Sequence, residues 1–306
     1  MRLVRYQQGA QHGWAVQRPD TGQWHGMLKG GPVWPGEVDA LIAAGRAALN
    51  AAAAVMARQA PVDLDRVALL PPVARPPKIL CVGLNYRDHT SESGFEQPAY
   101  PTLFSRFTTS LIGHGAPIRY PELSDTLDYE GELVAVIGTG GSRIRRQDAL
   151  SHVLGYSVFN DASVREYQFK TPQWTMGKNF DGTGPFGPWL VTDDELPPGA
   201  AGLAIETRLN GRVVQSANTR DMVFDVAQLI ETISAAVTLE AGDLIVAGTP
   251  AGIGHARDPR LYMKPGDVCE VEIEGIGLLS NPVRRLPAPD EQGRSLPQPT
   301  EEETTR

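Results

Sequence analysis

The sequence predicts a mixed α/β fold dominated by β-structure, and three observations carry that prediction. Apolar runs of strand length recur along the chain and are separated by turn residues. Glycine and proline together make up 57 of the 306 residues, from 32 and 25, about 19% against a usual ~12%, so the chain turns often and is neither a helical bundle nor a coiled coil. Only two stretches, 37–60 and 224–239, carry a helical pattern.

Taken in order, residues 1–35 read as short strands. Leu3-Val4 and Trp14-Ala15-Val16 alternate with polar residues, and Gly22, Gly30 and Gly31 mark turns. The helix predicted over 37–60 has Glu37 near its start, is dominated by alanine and is stopped by Pro61. Pro71, Pro72, Pro76 and Pro77 then form a stiff extended connector. A boundary near residue 75 sets off a small N-terminal α+β domain, 1–75, from a larger domain, 76–286. Strands are expected in the latter at 78–84, 133–137, 153–159, 203–209, 244–247 and 268–273. Asn210-Gly211 is a strong hairpin signal, because a type I′ turn needs positive φ at both positions. Residues 287–306, Pro-rich and charged with Glu301-Glu302-Glu303, read as a disordered tail.

Composition bounds the function. Hydrophobic residues make up 41% of the chain, which excludes a disordered protein. Acidic residues outnumber basic ones 36 to 28, for a net charge of −8. That disfavours a nucleic-acid partner, which usually meets a basic surface, and leaves room for a cation site. Cys81 and Cys269 lie in apolar strand-like runs with neither metal nor disulfide spacing, so a cytoplasmic location is expected. The first residues lack the apolar core of a signal peptide. No run approaches the ~18 apolar residues of a membrane span.

Four groups of residues could carry chemistry. Glu130 and Glu132, two apart at the mouth of an apolar run, share one face of a strand. They are either a solvated strand end or a pair that needs a cation between them. Asp161 ends the run before it and is either an N-cap or a third oxygen ligand. Three carboxylates form a hard site suited to Mg²⁺, Mn²⁺ or Ca²⁺ rather than zinc. His89 and Glu92 stand at i and i+3. On a helical turn that spacing makes them either a surface ion pair or a base with its orienting carboxylate. Lys178, set among Trp174, Gly177 and Phe180, is either a snorkelling lysine or a buried cation able to stabilise an oxyanion. Arg165 and Gln168, three apart, can hold a carboxylate or carbonyl, or be solvated.

Two glycine-rich strings are set aside. Gly182-Thr183-Gly184-Pro185-Phe186-Gly187 matches a dinucleotide fingerprint in letters only, with no strand expected before it and no helix after it. The run 248–254 lacks the Gly-Lys-Ser/Thr of a phosphate loop. It more plausibly brings backbone amides and Thr249 to the edge of a site.

The order of these motifs is itself informative. Gly83-Leu84-Asn85-Tyr86, Asp88-His89-x-x-Glu92, Pro101-Thr102-Leu103-Phe104 and Tyr129-Glu130-Gly131-Glu132 come first. Asn160-Asp161-x-x-x-Arg165-x-x-Gln168, Gly177-Lys178, Gly187-Pro188-Trp189, Gly248-Thr249-Pro250-x-Gly252 and Gly266-Asp267 follow. Over about 76–285 this series closely resembles the fumarylacetoacetate hydrolase family. The resemblance implies a β-sandwich roll with a carboxylate-bound divalent metal, Mg²⁺ in the first instance. By position Glu130, Glu132 and Asp161 match the metal ligands, and His89 with Glu92 matches the catalytic dyad on a short lid helix. Lys178, Arg165, Gln168 and Thr249 match the oxyanion and substrate-binding groups. Tyr86 and Arg106 join the substrate-binding candidates, Arg106 standing where the family often has lysine.

The activity this implies is hydrolysis of a C–C bond in an acylpyruvate such as fumarylpyruvate or maleylpyruvate, with aromatic catabolism as the expected setting. Oxaloacetate decarboxylation and isomerisation of a hydroxydienedioate are the alternatives at the same site. A non-catalytic oxo-acid or metal-binding protein is the remaining one. A dicarboxylic substrate needs a distal cation, for which Arg106, Arg165 and Arg220 are candidates. The expected partners are a small oxo acid and a second copy of the chain in a homodimer, with no nucleic acid and no membrane.

Overall fold

The computed structural model describes residues 1–94 and 96–286. The tail expected at 287–306 lies outside the described residues.

The central strand, Gly131–Ile137, is buried along its whole length. It reads GELVAVI, the near-continuous apolar run of a strand covered on both faces. It pairs antiparallel with Val153–Asn160 on one side and Leu244–Val246 on the other. Eleven strands make up this sheet. Gly184–Thr192 follows Val153–Asn160, and Ile79–Gly83 lies beyond Leu244–Val246, parallel to it. Arg2–Gln8 pairs with Gly184–Thr192, with Gln11–Gln17, and with Ala68–Leu70. The N-terminal strands therefore extend the same sheet.

A second sheet of five strands runs Arg212–Asn218, Ala204–Leu209, Val268–Ile273, Gly277–Arg284 and Ile118–Arg119. Its hairpin turns at Asn210 and Gly211, with φ of 53° and 75°, as the sequence predicts. One core lies between the two sheets: Leu133, Ala135 and Ile137 meet Ile205, Val271, Ile273 and Leu279, together with Leu229, Ile230 and Ile233 of the helix Val226–Ser234. On the other face Val134 and Val136 share a core with Phe159 and Phe186, and with Ile42, Leu49 and Met56 of the N-terminal helices. The period-2 alternation of one strand thus feeds two cores.

The predicted helix 37–60 is in fact two helices, Val38–Ala43 and Arg46–Met56. Gly45 at φ 96° breaks it, a conformation glycine adopts without penalty. The string at 182–187 runs into the strand Gly184–Thr192 and no helix leaves it. Among the described residues no helix is long and apolar enough to cross a membrane.

Candidate active site

Strand register builds the acidic cluster. Gly131 faces Asn160 and Glu132 faces Phe159 across the central pair, and the Asp161 amide donates to the Glu130 carbonyl at 2.8 Å. Glu130, Glu132 and Asp161 therefore meet at one end of adjacent strands, with ligand-capable oxygens all within 4.8 Å of one another. All three are buried. Asp161 is not an N-cap: Ser163–Val164 continues as a short strand, and the helix Arg165–Gln168 begins without a side-chain cap.

Three buried cations answer these carboxylates. Lys178 Nζ lies 2.6 Å from Glu130 Oε2 and 2.7 Å from Asp161 Oδ2. Arg165 reaches Glu130 Oε1 at 2.7 Å and Asp128 Oδ2 at 2.8 Å. Arg106 pairs with Asp161 and also donates to the Ala162 carbonyl and to Thr183. Burial by itself would push the Glu130 carboxyl up, but Lys178 and Arg165 outweigh it and hold the group down at about 2. Glu132 goes the other way. Burial, then the charges of Asp161 and Glu130, push it well above the ordinary carboxylate range. Its hydrogen bond comes from the Gly248 amide at 2.6 Å, and no cation pairs with it among the described residues. Lys178 loses by burial and gains more from Asp161 and Glu130, so it stays protonated.

The charge count tests the fit of a metal. Asp128, Glu130 and Asp161 pair with Arg106, Arg165 and Lys178, while Glu132, the fourth carboxyl, is driven by burial and its neighbours to hold a proton, a proton that a bound cation would displace. A divalent cation held by Glu130, Glu132 and Asp161 suits that all-oxygen, electron-rich set.

Two backbone devices set the geometry. Gly248 has φ 98°, and a Cβ there would lie 2.7 Å from Asn85 Cβ, so glycine is required for its amide to face Glu132. A Cβ on Gly177 would meet the Gln168 backbone nitrogen at 2.4 Å. The helices Arg165–Gln168 and Thr175–Lys178 touch there, which brings Lys178 beside Arg165.

His89 and Glu92 lie on the helix Arg87–Glu92. His89 Nδ1 is 2.9 Å from Glu92 Oε1, while Glu92 Oε2 accepts the Gly252 amide at 2.8 Å. A carboxylate only accepts, so Nδ1 carries the proton and Nε2 is the basic nitrogen. A cavity of about 400 Å³ gathers His89, Glu92, Glu130, Glu132, Arg165, Gln168, Lys178 and Thr249, with Leu84, Phe104 and Trp174 among its apolar walls. Leu84 has φ 58°, the left-handed backbone that non-glycine residues adopt at a cost.

Three of the sequence candidates stand elsewhere. Arg106 does not line the cavity: it is buried behind Asp161, with Phe159 under its guanidinium at 5.7 Å. Tyr86 and Arg220 line a different cavity, with Asp88 and Asp221, and the buried Tyr86 hydroxyl has no hydrogen-bond partner among the described residues. Sequence reading also passed over Asp128 and His255. Asp128 accepts from Arg165 and from the Gly254 and His255 amides, and its place in the acidic run Asp128-Tyr129-Glu130 was the available signal. His255 lines the cavity and stands alone after a glycine-rich run, with no spacing to mark it.

Residues 78–284 match the family profile described as fumarylacetoacetate (FAA) hydrolase C-terminal. The chain belongs to the fumarylacetoacetate hydrolase family. Within that family, the mitochondrial oxaloacetate tautomerase fahd2 of Xenopus laevis is 39% identical over 288 residues, covering 92% of this chain and 90% of that protein. The fumarylacetoacetate hydrolase of Exiguobacterium antarcticum superposes with a TM-score of 0.81 at 36% identity, covering 93% of this chain and 99% of that one. A 2-hydroxyhepta-2,4-diene-1,7-dioate isomerase from Mycobacterium marinum follows at TM-score 0.70 and 32% identity, covering 93% and 98%. As a family member the chain is read as an enzyme with an acidic site able to hold a metal.

Proposed function

We propose that the chain catalyses metal-dependent proton transfer at the carbon next to a 2-oxo group, interconverting the enol and keto forms of a small 2-oxo diacid such as oxaloacetate. The observation that carries this reading is the His89–Glu92 pair facing the acidic and cationic cluster across one cavity. Two of the three relatives reported above support it over the hydrolysis that the sequence first suggested, an oxaloacetate tautomerase and a dienedioate isomerase, while the third is named a hydrolase.

A divalent cation on Glu130, Glu132 and Asp161 would supply Lewis-acid polarisation of the 2-oxo group. The chain's own residues do the rest. Arg165 has Nη2 buried without a partner and lines the cavity beside Gln168, so it offers a donor to the substrate carboxylate. His89 Nε2 exchanges a proton with C3, and Glu92 holds the ring in that tautomer. In the enol-to-keto direction His89 Nε2 takes the enol hydroxyl proton, directly or through one water, and delivers it to C3, so His89 ends as it began and the reaction is an isomerisation with no change in mass. Lys178, fixed and protonated, offsets negative charge that develops on the 2-oxo oxygen. Leu84, Phe104 and Trp174 keep bulk water from the exchanging proton.

Hydrolysis of an acylpyruvate stays as a second reading, because the same His89 Nε2 can take a proton from water and the cavity exceeds what a four-carbon diacid fills. Product analysis separates the readings. With oxaloacetate and Mg²⁺ the account expects faster loss of the enol signal without carbon dioxide, and suppression by a chelator. Pyruvate and an acid from acetylpyruvate would instead mark the hydrolase, and carbon dioxide a decarboxylase. A homodimer in the cytoplasm completes the proposal, to be checked by light scattering on the purified chain and by fractionation of the source cell.

A further inference from the structure

His255 takes no part in the chemistry above, yet it lines the same cavity. It sits near the mouth: its ring packs 5.1 Å from that of Phe169, which is 47% exposed, and 6.2 Å from Tyr262. Its position relative to Arg165 is fixed by a shared carboxylate. Asp128 Oδ2 accepts Arg165 Nε at 2.8 Å and the His255 amide at 2.9 Å.

Arg260 Nη1 is 3.5 Å from the Tyr262 hydroxyl oxygen, a long contact, and a guanidinium can only donate. Tyr262 has no other acceptor than His255 Nδ1, at 2.7 Å, among the described residues. With the phenol donating to Nδ1, a neutral ring carries its proton on Nε2, the tautomer on which the inference below rests. Burial, followed by the charges of Arg165 and Arg260, lowers the His255 imidazole below its ordinary range and keeps it neutral. No described residue accepts from Nε2.

We infer that His255 Nε2–H is a specificity donor: it accepts into the site the terminal carboxylate of a 2-oxo diacid whose 2-oxo acid end lies at Arg165 and the acidic cluster. The inference rests on the 2-oxo acid reading above but does not need turnover. Arg165 and His255, tied through Asp128, read the two ends of one short dianion.

The test compares two ligands of equal chain length, 2-oxoglutarate and 2-oxovalerate, by calorimetry on the full chain with Mg²⁺. Wild type is expected to bind the diacid ~tenfold more tightly, the scale of one hydrogen bond to a charged group. His255→Leu should bring the ratio near one with 2-oxovalerate binding unchanged. His255→Gln, which keeps a donor near the Nε2 position, should retain most of the preference. Tyr262→Phe, which frees the tautomer, should fall between wild type and His255→Leu, and it carries the test if the leucine variant does not fold. An unchanged ratio in His255→Leu, or equal loss of both ligands, overturns the inference. A wild type that fails to tautomerise oxaloacetate but shows this pattern of ratios refutes the proposed reaction and leaves the diacid donor standing.

Discussion

Arg106 shows how a residue's type and its position can point to different roles. In sequence it is a cation near the site, and the need of a diacid for positive charge made it a substrate candidate. In the fold it is 2% exposed and pairs with Asp161 from behind. Breaking a buried pair leaves an uncompensated charge and costs about 3–5 kcal/mol. Arg106→Met is therefore expected to lower the unfolding free energy by that order, read from the shift of the urea midpoint, with KM for oxaloacetate changing only as Asp161 shifts. A stable variant with a raised KM alone would restore the substrate role. Glu130 with Glu132 and His89 with Glu92 could be paired from the sequence because their spacing encodes a shared face or turn, whereas strand register brings Asp161 to the two glutamates. Asp128 and His255 could not be placed, because their partners lie 37 residues away at Arg165 and at the rings of Phe169 and Tyr262. Such contacts leave no periodic trace.

At the scale of elements, the strands were readable from alternation and apolar runs, while several boundaries depended on tertiary packing. The break at Gly45 inside an alanine-rich stretch is one case, since helix propensity outweighs a single glycine until packing selects its positive φ. The crossing of Arg165–Gln168 and Thr175–Lys178 is another. Four-residue helices have no stable existence alone, and these two are defined by the contact at Gly177. Gly177→Ala is expected to force them apart and destabilise the chain by about 1–3 kcal/mol, the usual cost of overpacking. Displacement of Lys178 should also lower kcat. Equal stability and activity in that variant, measured by urea melting and turnover, would show that the contact does not position the lysine.

The whole molecule places a sheet of eleven strands between the N-terminal helices on one face and the five-stranded sheet on the other, and sets the acidic cluster at the end of its central strands. The resemblance covered 76–285 and the family profile covers 78–284, so the catalytic part was visible as motif order. What motif order did not reveal was that strands before residue 75 complete the same sheet, because register between distant segments is not written locally. Glu132, a buried carboxyl driven to hold a proton beside two other ligand-capable carboxylates, predicts a metal-linked stability. At Mg²⁺ 100-fold above Kd the stabilisation is ~2.7 kcal/mol, which raises the Tm by several degrees and is reversed by chelator. Glu132→Gln should abolish that shift and raise the Tm of the metal-free protein, because it removes the carboxylate that burial and its neighbours oppose. Retention of the full Mg²⁺ shift in that variant would contradict the ligand set.

The central claim is that His89, held by Glu92, moves the proton at C3. The direct measurement is the rate of oxaloacetate enol loss, followed by ultraviolet absorbance at fixed Mg²⁺, for wild type, His89→Ala and protein-free buffer. The account predicts wild type well above buffer and His89→Ala lower than wild type by ~10²–10⁴-fold, with Mg²⁺-dependent stabilisation intact. A wild-type rate no faster than buffer, or a His89→Ala rate equal to wild type, would contradict it.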